Sequence, residues 1–296
     1  MTLKLRSKLN VWLLSLCCSA GQGVMALEVD NFKARQASLN DEKASVDQFM
    51  DSYILDAVNK MNRSKTCDAG RFIETMYQHV GGWTTRIESD LDRSTQVSKH
   101  QPATRSSIYG SFTSFEGKLM LLKRNLGSTI RVGELYIGTD KLGHFLDTGY
   151  LYYKEYQAGG ESLDRAIAWG EETEKGKYGY AVSGIYSYAD LAANYEGLRF
   201  WLSFVDSSSD IKPYVSCEDG VWTKLRKFDS DEYVSAAWDE GYNCNDYAVE
   251  SAREKVEAAI SSLGYACPIE PAKCDEIASR FSIYERADHM ISPSCK

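Results

Sequence analysis

Apolar and polar positions recur with a helical period over most of this chain. Between Asn40 and Asn62, the residues Val46, Phe49, Met50, Ile54, Ala57 and Val58 return every three or four positions, which predicts an amphipathic helix. Phe72, Ile73, Met76, Tyr77 and Val80 predict a second, stopped by Gly81-Gly82. Residues 83–104 show no period and read as a polar surface linker or long loop, and Leu119–Leu122 is a short apolar run. Thr129–Val132 and Leu135–Ile137, joined by a Gly-Glu step, predict a small hairpin. Residues 139–156 and 187–204 carry the two strongest central helices. A shorter helix over 163–173 lies between them, followed by a Gly- and Tyr-rich stretch from Lys175 to Tyr186. Val249, Ala252, Val256, Ala259, Ile260 and Leu263 predict a last amphipathic helix, closed by Gly264. The fold class is mainly α, a helical bundle-like domain with a minor β-hairpin. It divides into a core domain over 27–210 and a disulfide-tied, cysteine-rich helical subdomain over 211–296.

The first 26 residues break this pattern. Lys4, Arg6 and Lys8 precede an apolar stretch from Val11 to Ala20, and Val24-Met25-Ala26 fits the small-residue rule for signal-peptide cleavage. That stretch is too short to span a bilayer, which takes about 20 residues of helix. Cys17 and Cys18 open a lipoprotein alternative, although Leu16 is large for the usual lipidation cleavage. The expected mature chain is exported to the periplasm or secreted, with no transmembrane segment after cleavage. Losing the three basic residues takes its net charge from −8 to −11. With 42 acidic against 34 basic residues, a nucleic-acid partner is excluded and an envelope component or small-molecule substrate is expected.

Six cysteines remain after cleavage: Cys67, Cys217, Cys244, Cys267, Cys274 and Cys295. An even number in an exported chain points to a disulfide framework. The spacing favours Cys217–Cys244 and one bridge within the group Cys267, Cys274 and Cys295. No CxxC pair exists, which argues against a thiolate zinc site.

Candidate chemistry concentrates between Ile137 and Trp201. With Thr139 as N-cap, a helix turning about 100° per residue places Asp140, His144 and Asp147 within roughly 60° of one another. Leu142, Phe145, Leu146, Gly149 and Tyr153 take the other side. On the second helix Asp190, Asn194, Gly197 and Trp201 share one face, with Ser187 three positions ahead of Asp190 as a possible capping partner. If the two faces oppose, His144 meets Asp190 and Asn194 across a cleft. A carboxylate beside an imidazole fixes its tautomer and suits acid–base work or ligation of a divalent metal, the candidate cofactor. Lys141 would offset negative charge, and Glu171 or Glu172 would add a third carboxylate. Tyr178, Tyr180, Tyr186, Tyr188 and Tyr195 bracket the second helix. Of these Tyr186 and Tyr188, with Gly197 and Trp201, are the expected substrate contacts. No GxSxG, P-loop, HExxH or GxGxxG pattern is present.

The run Asp140-Lys141-x-x-His144-Phe145, a following glutamate, and Ser187-x-x-Asp190-x-x-x-Asn194-x-x-Gly197 resemble the VanZ-like family. They are also similar to the YfiM-type bacterial envelope lipoproteins. The resemblance covers residues 137–201. It implies that Asp140, Lys141, His144, Asp190, Asn194 and Gly197 are functional positions, with Glu171 or Glu172 as the intermediate acid. It also implies an envelope role, linked in the VanZ case to glycopeptide resistance. VanZ-like proteins are membrane-embedded and carry an arginine before the second motif, and neither feature is found in this chain. Two functions are expected from the sequence: hydrolysis of an envelope lipid, glycan or peptide, or non-catalytic envelope binding or assembly with the same polar residues as structural locks.

Overall fold

A computed structural model describes residues 28–82, 84–176, 179–205, 212–282 and 286–296. The expected signal segment and Tyr178 lie outside the described residues. The chain is mainly helical. Its principal helices are α1 (Lys43–Met61), α2 (Ala69–Val80), α3 (Arg86–Arg93), α4 (three consecutive segments, Thr139–Gly143, His144–Thr148 and Gly149–Ala158), α5 (Leu163–Lys175), α6 (Tyr188–Leu202), α7 (Glu250–Ser262) and α8 (Ala272–Phe281). Strands β1 (Lys99–His100), β2 (Thr129–Val132) and β3 (Leu135–Gly138) form one antiparallel sheet in that order. The β2–β3 hairpin pairs Thr129 with Gly138 and Val132 with Leu135, and delivers the chain directly into α4. Among the described residues no helix is long and apolar enough to cross a membrane.

Two local expectations change. The stretch 83–104 contains α3, whose entry is a capping box: Glu88 Oε2 accepts from both Thr85 N and Thr85 Oγ1. Ile87 and Leu91 of this helix are fully buried, so the segment belongs to the core despite its polar composition. Thr139 is not the N-cap of α4. Gly138 holds that position, while Thr139 N donates to the Ser128 carbonyl across the sheet.

Helices α4 and α6 form the centre of the molecule and touch backbone to backbone. A Cβ on Gly149 would lie 2.6 Å from Gly197 Cα, and one on Gly197 would overlap the Phe145 carbonyl oxygen. Gly197 is therefore a helix-packing position, and no ligand approaches there. Trp201, expected at the site, is fully buried one turn further on and donates from Nε1 to the Leu146 carbonyl at 3.1 Å. Phe145 packs on Phe200, Tyr233 and Trp238 with ring centroids 5.1, 5.0 and 5.6 Å away, which ties α4 and α6 to the later part of the chain. Each such pair adds about 0.5–1.5 kcal/mol beyond its buried area. The same apolar cluster runs from Val46 to Ile291.

Three disulfides join Cys67–Cys217, Cys244–Cys267 and Cys274–Cys295, as befits a chain that folds in an oxidising compartment. The bridge expected within the last three cysteines is Cys274–Cys295. The expected Cys217–Cys244 pair does not form. Cys217 sits on strand β5 (Val215–Glu218), paired with β6 (Val221–Lys224), and that hairpin lies against the end of α1. Asn62 Oδ1 accepts from Trp222 N at 2.7 Å, and Trp222 Nε1 donates to the Thr66 carbonyl at 2.8 Å. These contacts bring Cys217 to Cys67, far off in sequence but 5.5 Å away at Cα.

Candidate acid–base site

The middle segment of α4, His144–Thr148, is wound as a π-helix. Single π-turns inside α-helices are uncommon and recur at functional sites, because the wider turn re-aims the side chains it carries. Here it carries His144. Nδ1 of its imidazole lies 3.0 Å from Asn194 Oδ1, and Nε2 lies 3.1 Å from Asp190 Oδ2. Two helix faces meet around this ring, at the residues that the i, i+4 spacing predicts. Ser187 also caps α6, its Oγ accepting from Asp190 N at 3.2 Å. The Asp190 side chain is turned away from the cap, into the cleft.

Lys141 supplies the second cation. It is fully buried, and its ammonium lies 2.7 Å from Asp140 Oδ2, 2.6 Å from Asp190 Oδ1 and 2.6 Å from Glu240 Oε1. Three carboxylates surround this charge, and the ammonium donates a hydrogen bond to Asp140 Oδ2. Asp190 is thereby held between two cations, one at each oxygen.

A cavity opens above the imidazole, lined by Glu28, Glu88, Asp140, Asp190, Glu174 and His144 and rimmed by Leu119, Met120 and Lys123. Gly143 has no side chain where Glu88 crosses the helix, and a Cβ there would collide with the Glu88 carboxyl group. Among the described residues, the carboxyls Glu28, Glu88, Asp140, Glu174, Asp190 and Glu240 have Lys141 and His144 as their buried counter-charges. The electrostatics follow from that imbalance. Burial and the Asp190 charge push Glu174 up to about 8. Burial, partly opposed by the Thr85 hydrogen bonds, pushes Glu88 up to about 7. Glu28, Asp140 and Glu240 are raised for the same first reason, burial. Asp190 moves the other way: the His144 and Lys141 charges overcome its burial and hold it well below the usual carboxylate range. For His144 burial alone would favour the neutral ring, but Asp190, Glu174 and Asp140 outweigh it and raise the imidazole to about 10.

Of the residues expected at the site, Asp140, Lys141, His144, Asp190 and Asn194 come together, and Glu172, Tyr186, Tyr188, Gly197 and Trp201 do not. Glu172 points to solvent from α5, and Glu171 pairs with His289. The acid that α5 contributes is Glu174, 4% exposed. Tyr186 is buried edge-on against Tyr188, 5.0 Å between centroids, outside the cavity lining. Asp147 reaches the rim, where Oδ1 accepts from Tyr77 Oη at 2.9 Å and Gly82 N at 2.8 Å. Glu28, Glu88, Glu174 and Glu240 were not anticipated. Two left a signal: Thr85-x-x-Glu88 is a capping-box spacing, and Glu174 continues the buried stripe of Ile167 and Gly170 on α5.

Oxygens of Asp140 and Asp190 and a ring nitrogen of His144 lie within 4.8 Å of one another, close enough to share one divalent cation. Two features oppose ligation. Lys141 already occupies an oxygen of each carboxylate, and Nε2 would have to release a proton that Asp190 holds in place.

No protein-family model matches this chain, and no curated protein or solved structure is significantly similar to it.

Proposed function

We propose that this is an exported envelope protein whose cavity performs acid–base hydrolysis on a neutral polar bond of an envelope component. The observation that carries the reading is the fixed imidazole of His144 set in one cavity with two buried carboxyls, Glu88 and Glu174, whose proton affinities are tuned to neutral pH. Groups that titrate near the working pH are the most effective proton carriers. Glu88, ionised first, takes a proton from water. Glu174, still protonated, gives one to the leaving group, so that the scissile bond is exchanged for the two new bonds to H and OH. His144, charged rather than neutral, acts as a fixed positive charge beside the negative charge that develops in the transition state. This replaces the general-base role expected for His144, because an imidazolium has no lone pair to accept a proton. Asn194 and Asp190 position the ring, and Lys141 keeps Asp190 ionised. The excess of carboxyls disfavours a phosphate at the reacting position.

A divalent cation on Asp140, His144 and Asp190 is the second reading, favoured by their mutual spacing. The resemblance to VanZ-like and YfiM-type proteins supports the envelope setting of either.

His144→Ala tests the reading against a purely structural role. In a strain lacking the protein, wild type restores the envelope phenotype, and His144→Ala is expected to restore none of it. Its fold should survive, losing about 1–3 kcal/mol for the unpaired partners. Full restoration by His144→Ala would overturn the proposal.

A further inference from the structure

The stretch that contributes Leu119 to the cavity rim carries exposed apolar surface. Phe115 is 74% exposed, Leu119 49% and Leu122 77%, all within one short stretch; Leu55 on α1, and Val221 and Leu225 at the β5–β6 hairpin that packs on α1, are exposed away from this stretch. Isolated exposed apolar residues are ordinary, but a contiguous group beside a binding cavity is not. The arrangement is rigidly built. Phe115 lies on the helical turn Ser114–Gly117, and Lys118–Leu122 follows as a 3-10 turn. Residues three apart in such a turn eclipse one another, so Leu119 and Leu122 share the outward face while Met120 is buried beneath.

The stretch is pinned from below. Glu116 is buried, completes a capping box with Thr113, and takes the Lys255 ammonium at 2.6 Å and the Ser251 hydroxyl at 2.6 Å. Lys118 adopts a left-handed φ of 44°, a costly conformation for a side-chain-bearing residue, and its ammonium donates to the Tyr180 carbonyl. These anchors hold three large apolar side chains in water.

Basic residues flank them. Arg105, Lys123 and Arg124 line an adjoining groove together with Leu121, and none of the three makes an ion pair among the described residues. Lys123 lines this groove and the acid–base cavity alike. A concentration of unpaired cations on a chain of net charge −8 marks where an anionic surface would be accepted.

We infer that this lip docks on the surface of an anionic lipid bilayer, and that the substrate of the neighbouring cavity is a membrane lipid. Phe115, Leu119 and Leu122 enter the boundary between headgroups and acyl chains, and Arg105, Lys123 and Arg124 meet lipid phosphates. The acidic cavity then receives an uncharged part of the lipid while its phosphate stays on the basic rim. The substrate half of this inference rests on the hydrolytic reading above, but the docking half does not.

Co-sedimentation with vesicles tests it, using the mature chain and two compositions: phosphatidylglycerol with phosphatidylethanolamine, and phosphatidylcholine alone. Wild type should pellet with the anionic vesicles and bind phosphatidylcholine at least tenfold less. The triple variant F115S/L119S/L122S and the triple variant R105Q/K123Q/R124Q should each bind the anionic vesicles at least tenfold less than wild type. Five of the six positions are exposed and Lys123 is half-buried, so circular dichroism melts should show folded proteins. His144→Ala should bind as wild type does, which separates docking from chemistry. Wild type staying in the supernatant, or lip variants that bind as well as wild type, would overturn the docking. If the lip variants fail in cells while wild type ignores both vesicles, the lip meets a protein and the inference is wrong.

Discussion

Glu174→Gln is expected to abolish activity and stabilise the protein at the same time. As the proton donor, Glu174 contributes about 10²–10⁴-fold to the rate, which Gln cannot supply. The stability effect comes from linkage. The folded state raises the Glu174 carboxyl from its ordinary 4.5 to about 8, so the folded chain binds this proton more tightly than the unfolded chain. The resulting stabilisation is fully present below about pH 4.5 and is lost as pH rises through 8. At about 1.4 kcal/mol per pKa unit, the loss reaches a few kcal/mol by pH 9. Gln does not titrate and escapes it. Melting curves should therefore show Glu174→Gln close to wild type at pH 5 and progressively more stable towards pH 9, while complementation of the deletion strain fails at the same level of folded protein. A carboxyl with no part in the chemistry predicts function retained with the same pH-dependent gain in stability.

Lys141→Met is expected to give the largest loss of stability of any single substitution near the site. Met nearly matches the Lys stem in volume, so the change removes the ammonium while leaving the packing in place. Asp140, Asp190 and Glu240 then lose the charge that each approaches within 2.7 Å. Breaking a buried ion cluster from one side costs about 3–5 kcal/mol, against a total stability of about 5–15 kcal/mol for a typical domain. The loss should shrink as pH falls, since protonating the carboxyls removes the repulsion left behind. Urea titrations at pH 7 and pH 5 measure both values. A loss below about 1 kcal/mol at pH 7 would mean that Lys141 is not compensating those acids.

Much of this site was legible because its core obeys helical spacing. Asp140 and His144, and Asp190 and Asn194, are one turn apart on two helices, and the glycines at 149 and 197 let those helices close until the ring meets its partners. The acids that complete the cavity follow no such period. Glu28 and Glu240 lie outside regular elements, and their approach to Lys141 depends on the assembled tertiary structure. Glu88 and Glu174 did lie in readable patterns, a capping box and a buried stripe, but a glutamate on an exposed-looking helix gives no local sign that its charge will be desolvated. The disulfides teach the same limit. Cys274 and Cys295 lie within one C-terminal segment, whereas Cys67 and Cys217 meet only because a hairpin folds back onto α1. The π-turn at His144 was invisible for another reason: its sequence fits an ordinary helix, and packing of α4 against α6 accompanies the wider turn.

The protonation state of the His144 ring tests the account most directly. Nitrogen-15 NMR of histidine-labelled protein in EDTA, followed from pH 5 to pH 10, reports the two ring nitrogens separately. An imidazole held between Asn194 and Asp190 should remain protonated on both nitrogens at pH 8 and begin to lose a proton only towards about pH 10. A ring already neutral at pH 8, with its transition near the ordinary 6.5, would contradict the charged, fixed imidazole on which the proposed chemistry is built.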